Sequence, residues 1–153
     1  MSSYSPIFAD NRQARFNYEI LETYEAGVEL LGTEVKSIRR GQANLRDAYA
    51  IVRNGEIFLL NMYVAPHHTT SNVFNHEPTR TRRLLLHRQE IRKLIGKVEQ
   101  KGLTLVPLKM YLSKGWIKLS IGLARSKKLH DKRETIQKRE SAREIARAIK
   151  ASR

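Results

Sequence analysis

Apolar and polar positions alternate most regularly in Trp116-Ile117-Lys118-Leu119-Ser120-Ile121, where Ile117, Leu119 and Ile121 share one face. A period of two marks a strand with one buried side. Leu103 to Leu112 is its partner run, joined to it by Ser113-Lys114-Gly115 as a hairpin. A second hairpin is signalled by Ala48 to Arg53 and Glu56 to Leu60 around Asn54-Gly55, a pair suited to the positive φ angles of a tight turn. Two more strand-like runs, Asn17 to Tyr24 and Val28 to Leu31, flank Glu25-Ala26-Gly27, which reads as a short turn. Twice the period becomes helical. Ile91, Leu94, Ile95 and Val98 give His87 to Gln100 one apolar face, with Gly102 as its stop. Thr33 predicts the N-cap of a short helix from Glu34 to Arg40, ended by Gly41. Residues 1–10 read as a loose leader, and 61–80 as irregular with room for one short strand.

These elements make about six short strands, one short helix and one longer helix. Small β domains of this size close into barrels to remove their edges. The expected fold is mainly β with some α: an OB-type closed barrel over 11–124, with a small sandwich as the alternative. From Arg125 the pattern changes. The last stretch, 125–153, has no Gly, Pro or aromatic residue and holds 11 Lys+Arg against 4 Asp+Glu. Ala142, Ile145, Ala146 and Ile149 share one helical face, and Arg139, Arg143, Arg147 and Lys150 another. That apolar stripe is thin and Ala-rich, so the tail is expected to be disordered alone and helical on a polyanionic surface. Helical throughout from Asp131 to Ser152, it spans about 33 Å.

The tail's +7 is half of the chain's formal +14, so residues 1–124 are basic too. This balance in 153 residues, 41% of them hydrophobic, points to one cored domain, an appendage and a nucleic-acid partner. The absence of Cys excludes disulfides, thiolate zinc sites and Cys nucleophiles, and fits a reducing compartment. No apolar run approaches the roughly 20 residues of a membrane span. The N-terminus lacks the charged start and apolar core of a signal peptide. A cytoplasmic protein with no membrane partner is expected.

Candidate chemistry is concentrated in cations. Arg80, Arg82 and Arg83 of Thr79-Arg80-Thr81-Arg82-Arg83 precede a helix that carries Arg88, Arg92, Lys93 and Lys97, then Lys101. Such a stripe suits phosphates, whose counterions it displaces, although a solvated helix face has the same pattern. His67, His68 and His76 match no helix-borne ligand spacing and read as surface histidines without a metal. No nucleophile elbow, phosphate loop or dinucleotide fingerprint is present. His130 and Asp131 are adjacent, so on a helix they diverge by about 100° and form no catalytic pair. No catalytic residue and no cofactor is expected.

Longer motifs are more specific. Asn11-Arg12-Gln13-Ala14-Arg15, Glu25-Ala26-Gly27, Gly32-Thr33-Glu34-Val35-Lys36-Ser37-Ile38-Arg39-Arg40-Gly41 and Ala43-Asn44-Leu45-Arg46-Asp47-Ala48-Tyr49 occur in order. Pro78 through Leu86 and Lys127-Lys128-Leu129-His130-Asp131-Lys132-Arg133 follow. Together they resemble the SsrA-binding protein (small protein B) family over nearly the whole chain. The resemblance implies an OB-fold barrel that binds the tRNA-like domain of transfer-messenger RNA (tmRNA) and rescues stalled ribosomes by trans-translation. It implies that the tail probes the vacant mRNA channel, that the ribosome performs peptide transfer, and that the protein is a monomer off the ribosome. Family RNA-binding positions fall on Asn11, Glu25, Glu34, Lys36, Ser37 and Arg39. With Arg12, Arg80, Arg82 and Arg83 they form the expected tmRNA contact set. The tail motif places Lys127, Lys128, His130, Asp131, Lys132 and Arg133 on the ribosome, joined by Arg139, Arg143, Arg147 and the apolar Ile149. Ser141 stands where many members carry Trp, so stacking at that position is not carried over.

Overall fold

Both predicted hairpins turn on pairs of left-handed residues. Asn54 (φ 52°) and Gly55 (φ 75°) link one, and Lys114 (φ 51°) and Gly115 (φ 81°) the other. Positive φ at both central positions gives a turn whose twist matches that of the flanking strands. The computed structural model describes residues 6–68, 74–100, 102–127, 137 and 139–147. Its elements are β1 (Ile7–Asp10), α1 (Arg12–Asn17), β2 (Tyr18–Val28), α2 (Gly32–Arg39), β3 (Ala43–Asn44), β4 (Tyr49–Arg53), β5 (Glu56–Leu60), β6 (Tyr63–Val64), β7 (Arg82–Leu85), α3 (Arg88–Val98), β8 (Leu103–Ser113) and β9 (Trp116–Ser126). Residues 139–147 are helical and exposed. No helix among the described residues is long and apolar enough to cross a membrane.

The strands β8, β4, β5, β7, β2 and β9 follow one another in hydrogen-bonded order, and β9 returns to β8. The expected mainly-β closure of about six strands is therefore present as a ring, though not as a clean barrel. Two seams are thin: β4 meets β8 at Ala50–Leu105 alone, and β2 meets β7 at Gly27–Leu85 and Val28–Leu84. Ile57, Leu59, Leu84, Leu105, Met110, Leu119 and Ile121 form the interior, joined by Ile38 of α2 and Leu94 of α3. A second, smaller core lies on the outer face. There Ala14 of α1 packs with Val106 and Leu108 of β8, Ala124 of β9, and Tyr18 and Ile20 of β2.

The second core depends on Gly122. A Cβ at this position meets Ile20 Cγ2 and Leu108 Cδ1 at 3.1 Å each, closer than packed carbon atoms sit. Gly122→Ala is expected to cost about 1–3 kcal/mol by overpacking. Amide exchange in α1 is the sensitive readout, because α1 rests on this core. Protection unchanged from the parent chain counts against that dependence.

Several expectations require correction. Glu25-Ala26-Gly27 is not a turn but the end of one long strand. Glu25, Ala26 and Gly27 pair with Ser120, Leu119 and Lys118 of β9, and Ala26 is fully buried. The loose leader is shorter than 1–10, since Ile7–Asp10 pair with β8. Thr33 lies inside α2 rather than capping it; Glu34 accepts the Leu31 N–H at 2.8 Å instead. Within 61–80 the one short strand allowed for is present as β6, paired with β3. His67 and His76 are buried, not surface histidines.

Candidate nucleic-acid interface

Because Ile117, Leu119 and Ile121 point inward, Trp116, Lys118 and Ser120 of β9 face outward. Leu85 of β7, Gly27 of β2, Lys118 of β9, Tyr111 of β8 and Ile7 of β1 form one level across five strands, each opposite the next. The neighbouring level reads Glu25, Ser120, Lys109 and Asp10. Leu85, Ile7 and Trp116 are large apolar side chains left 46%, 56% and 71% exposed. Gly27 permits Leu85 its position, since a Cβ on Gly27 lies only 3.3 Å from Leu85 Cβ.

The Tyr111 hydroxyl donates to the Glu25 carboxylate, and Lys109 Nζ stands 5.5 Å from the Tyr111 ring centroid. Burial and then the Glu25 hydrogen bond push the Tyr111 hydroxyl above its ordinary range, so it remains a neutral donor. A ring with a cation beside it, exposed apolar groups and one carboxylate acceptor suit splayed RNA bases and 2′-hydroxyls.

On the same outer face, α1 flanks this platform. Asn11 is buried and serves as its N-cap, Oδ1 accepting from the Ala14 N–H at 3.3 Å. Its Nδ2 donates to Pro107 O at 2.9 Å, and its backbone N–H donates to Leu108 O at 2.7 Å. Asn11 thereby pins α1 to β8 and leaves Arg12, Gln13 and Arg15 exposed. A cleft of about 590 Å³, lined among others by Arg15, Thr23, Lys109 and Ser120, runs from α1 to the level of Glu25. Another, of about 430 Å³, brings Asn11, Gln13 and Asn17 beside Arg46, Asp47 and Tyr49.

The α2 side is built on an ion cluster. Glu34, Ser37 and Ile38 face inward at helical spacing, and Lys36, Arg39 and Arg40 face outward. The fully buried Glu34 carboxylate accepts from Arg80 Nη2 at 2.6 Å and Arg82 Nε at 2.5 Å. Arg82, itself fully buried, also donates to Met62 O at 2.7 Å. Burial works to raise the Glu34 carboxyl, but hydrogen bonds from Arg80 and the Leu31 N–H and the charge of Arg82 hold it below the usual range. His76 seals the same region. Its Nε2 lies 2.9 Å from Val64 O, so it carries the proton, and in the neutral ring Nδ1 accepts from the Thr33 hydroxyl at 2.8 Å. Burial, then the charges of Lys36, His68 and Arg40, push His67 below its ordinary range.

The expected contact set is thus spread over three places. Asn11 and Arg12 belong to α1, Glu25 to the sheet face, and Glu34, Lys36, Ser37, Arg39, Arg80 and Arg82 to the α2 cluster. Arg83 is on the barrel exterior, bonded to Glu29 and Glu56 at 2.9 Å each. Of the long-helix stripe, Arg88, Arg92 and Lys93 are exposed, while Lys97 is tied to Glu22 at 2.5 Å. Lys127 donates its backbone N–H to Asn17 O at 3.0 Å. Arg139, Arg143 and Arg147 are exposed on the helical segment. Lys128, His130, Asp131, Lys132, Arg133 and Ile149 lie outside the described residues. Sequence reasoning missed Leu85, Lys109, Tyr111, Trp116 and Lys118, although the outward half of the β9 alternation was the signal for Trp116 and Lys118. No three His, Cys, Asp or Glu among the described residues could hold a metal ion.

The family model described as SmpB protein matches residues 8–151. An SsrA-binding protein of Synechococcus elongatus is 67% identical over 144 residues, 94% of each chain. That of Acaryochloris marina is 66% identical over 150 residues, 98% of this chain and 97% of the relative. The SsrA-binding protein of Nostoc punctiforme is 65% identical over 145 residues. A solved structure described as "tmRNA-SmpB: a journey to the center of the bacterial ribosome" superposes with a TM-score of 0.65 at 55% identity, covering 78% of this chain and 84% of that one.

Proposed function

The chain belongs to the SmpB protein family, and we propose that it binds tmRNA and acts with it on stalled ribosomes in trans-translation. The outer sheet face holds the RNA. One observation carries this reading: a single level across five strands places Lys118 and Tyr111 between exposed apolar groups, with Glu25 bonded to Tyr111 beside them. Glu25 reads base amino groups or 2′-hydroxyls, Lys118 meets phosphate, and Leu85 and Trp116 lie against bases or sugars. Arg12, Lys36, Arg39 and Arg80 extend the contact, whereas the charge of Arg83 is taken up by Glu29 and Glu56. Asn11, Glu34, Ser37 and Arg82 are buried, so they act by holding α1, α2 and Arg80 in place. The protein supplies binding and positioning rather than catalysis, and works in the cytoplasm where ribosomes are. On this reading the tail, from Lys127 onward, reports the empty mRNA channel.

Gel-shift affinities for tmRNA against excess bulk tRNA test this assignment. Lys118→Ala is expected to weaken binding and reduce the slope of log affinity against log salt by about 1. Glu25→Ala should lose about tenfold in affinity, the worth of one charge-assisted hydrogen bond, with little change in salt slope. Both side chains are on the surface, so melting temperatures should move little. Parental affinity in both variants removes the sheet face as the RNA platform.

A further inference from the structure

Arg12 and Arg15 of α1 and Arg139 and Arg143 of the helical tail segment line one cleft of about 570 Å³, together with Gln13 and Phe16. The Arg139 guanidinium carbon lies 5.5 Å from the Phe16 ring centroid, within cation–π range. That contact joins the tail to α1. Among the described residues Arg15 pairs with Asp10 at 2.8 Å, whereas Arg12, Arg139 and Arg143 enter no ion pair. Four guanidinium groups therefore share one hollow, and among the described residues only that of Arg15 is ion-paired, to Asp10. Their mutual repulsion is only partly screened by water and salt, and an anion between them turns it into attraction. Each planar guanidinium also offers parallel N–H donors that match phosphate oxygens. The lining shares Arg12 with the tmRNA contact proposed above and Arg15 with the cleft that runs toward Glu25, but includes none of Glu25, Lys109, Tyr111, Trp116 or Lys118.

We propose that this cleft is a separate phosphate-binding site for the backbone of a single RNA strand, and that filling it holds the tail segment against α1. Gln13 and the half-buried Phe16 ring favour an RNA strand over a free oligophosphate, since they offer an amide and an apolar surface to a sugar or base. The cleft needs no tmRNA, so it stands or falls independently of the function proposed above.

The test uses amide NMR on the full chain with a nine-nucleotide oligouridylate. Amides of 12–16 and 139–147 are expected to shift together along one isotherm. Arg139→Gln with Arg143→Gln changes only exposed tail positions, outside the barrel core, and should weaken that isotherm about tenfold. Pyrophosphate should move the same amides with lower affinity. Tighter binding of pyrophosphate than of the RNA overturns the strand assignment. Equal shifts from sodium sulfate at matched ionic strength show screening only and overturn the site. Undiminished RNA affinity in the double variant does so as well.

Discussion

A chain ended after Lys127 is expected to bind tmRNA within a few-fold of the full-length affinity and to support no peptide tagging on stalled ribosomes. The cut removes nine of the 29 Lys+Arg residues but leaves every strand of the ring intact. Its position matters. Apolar alternation fades at Leu123, yet β9 continues to Ser126, with Ala124 fully buried beneath α1 and Arg125 and Ser126 paired with Glu19 and Tyr18. Ending the chain at Leu123 strips the partner from the start of β2 and takes Ala124 out of the second core. A loss of RNA binding there reports damage to the barrel. Electrophoretic affinity and a tagging assay on ribosomes stalled without a stop codon separate the two roles. If the Lys127 truncation abolishes tmRNA binding, the tail is the anchor and the sheet face is not. Retained tagging removes the tail from ribosomal function.

The second large effect concerns stability. Glu34→Gln is expected to destabilise the fold by about 3–5 kcal/mol, because Arg82 is buried and loses its countercharge. Substituting the acid breaks a pair whose desolvation has already been met, and the remaining guanidinium keeps only neutral acceptors, the Gln amide oxygen and the carbonyls of Met62 and Pro78. The parent chain's pH dependence follows from the same cluster. The folded carboxyl titrates below its ordinary value of 4.5. Its contribution is therefore complete above that value and disappears as pH falls through the depressed folded value. Glu34→Gln should lack this acid-side loss while being less stable near neutrality. Denaturant titrations at neutral and acidic pH measure both. Equal stability of the two chains near pH 7 refutes a supporting role for Glu34.

The sequence made legible those parts of the fold that rest on local chemistry. Asn54-Gly55 and Lys114-Gly115 need left-handed backbone, and the apolar face of α3 follows from spacing alone. The missed features rest on partners distant in sequence. Glu25-Ala26-Gly27 has turn composition, but β9 supplies a ladder that extends it, and Gly27 is there for Leu85 rather than for a positive φ. α1 shows no apolar stripe because its short span buries only Ala14. Its cap, Asn11, becomes intelligible once Pro107 O is adjacent. The contact set mixed two kinds of residue for the same reason. Arg80 and Arg82 both bond Glu34, but Arg82 opens β7 on its buried face whereas Arg80 precedes the strand and stays partly exposed, and strand alternation turns Arg83 outward. Tyr111 and Lys118 were readable as the outward partners of core residues, but only pairing shows that they meet Glu25.

Trp116 is the only tryptophan in the chain and sits at the tip of the β8–β9 hairpin, on the proposed RNA face. The molecule thus carries an intrinsic fluorophore placed where that face meets solvent. The free protein is expected to emit as a water-exposed indole does, and RNA laid across the strands is expected to change that emission without any label. The tail, α1 and α2 contain no second indole, so the optical signal belongs to one surface and distinguishes RNA held by the sheet from RNA held elsewhere.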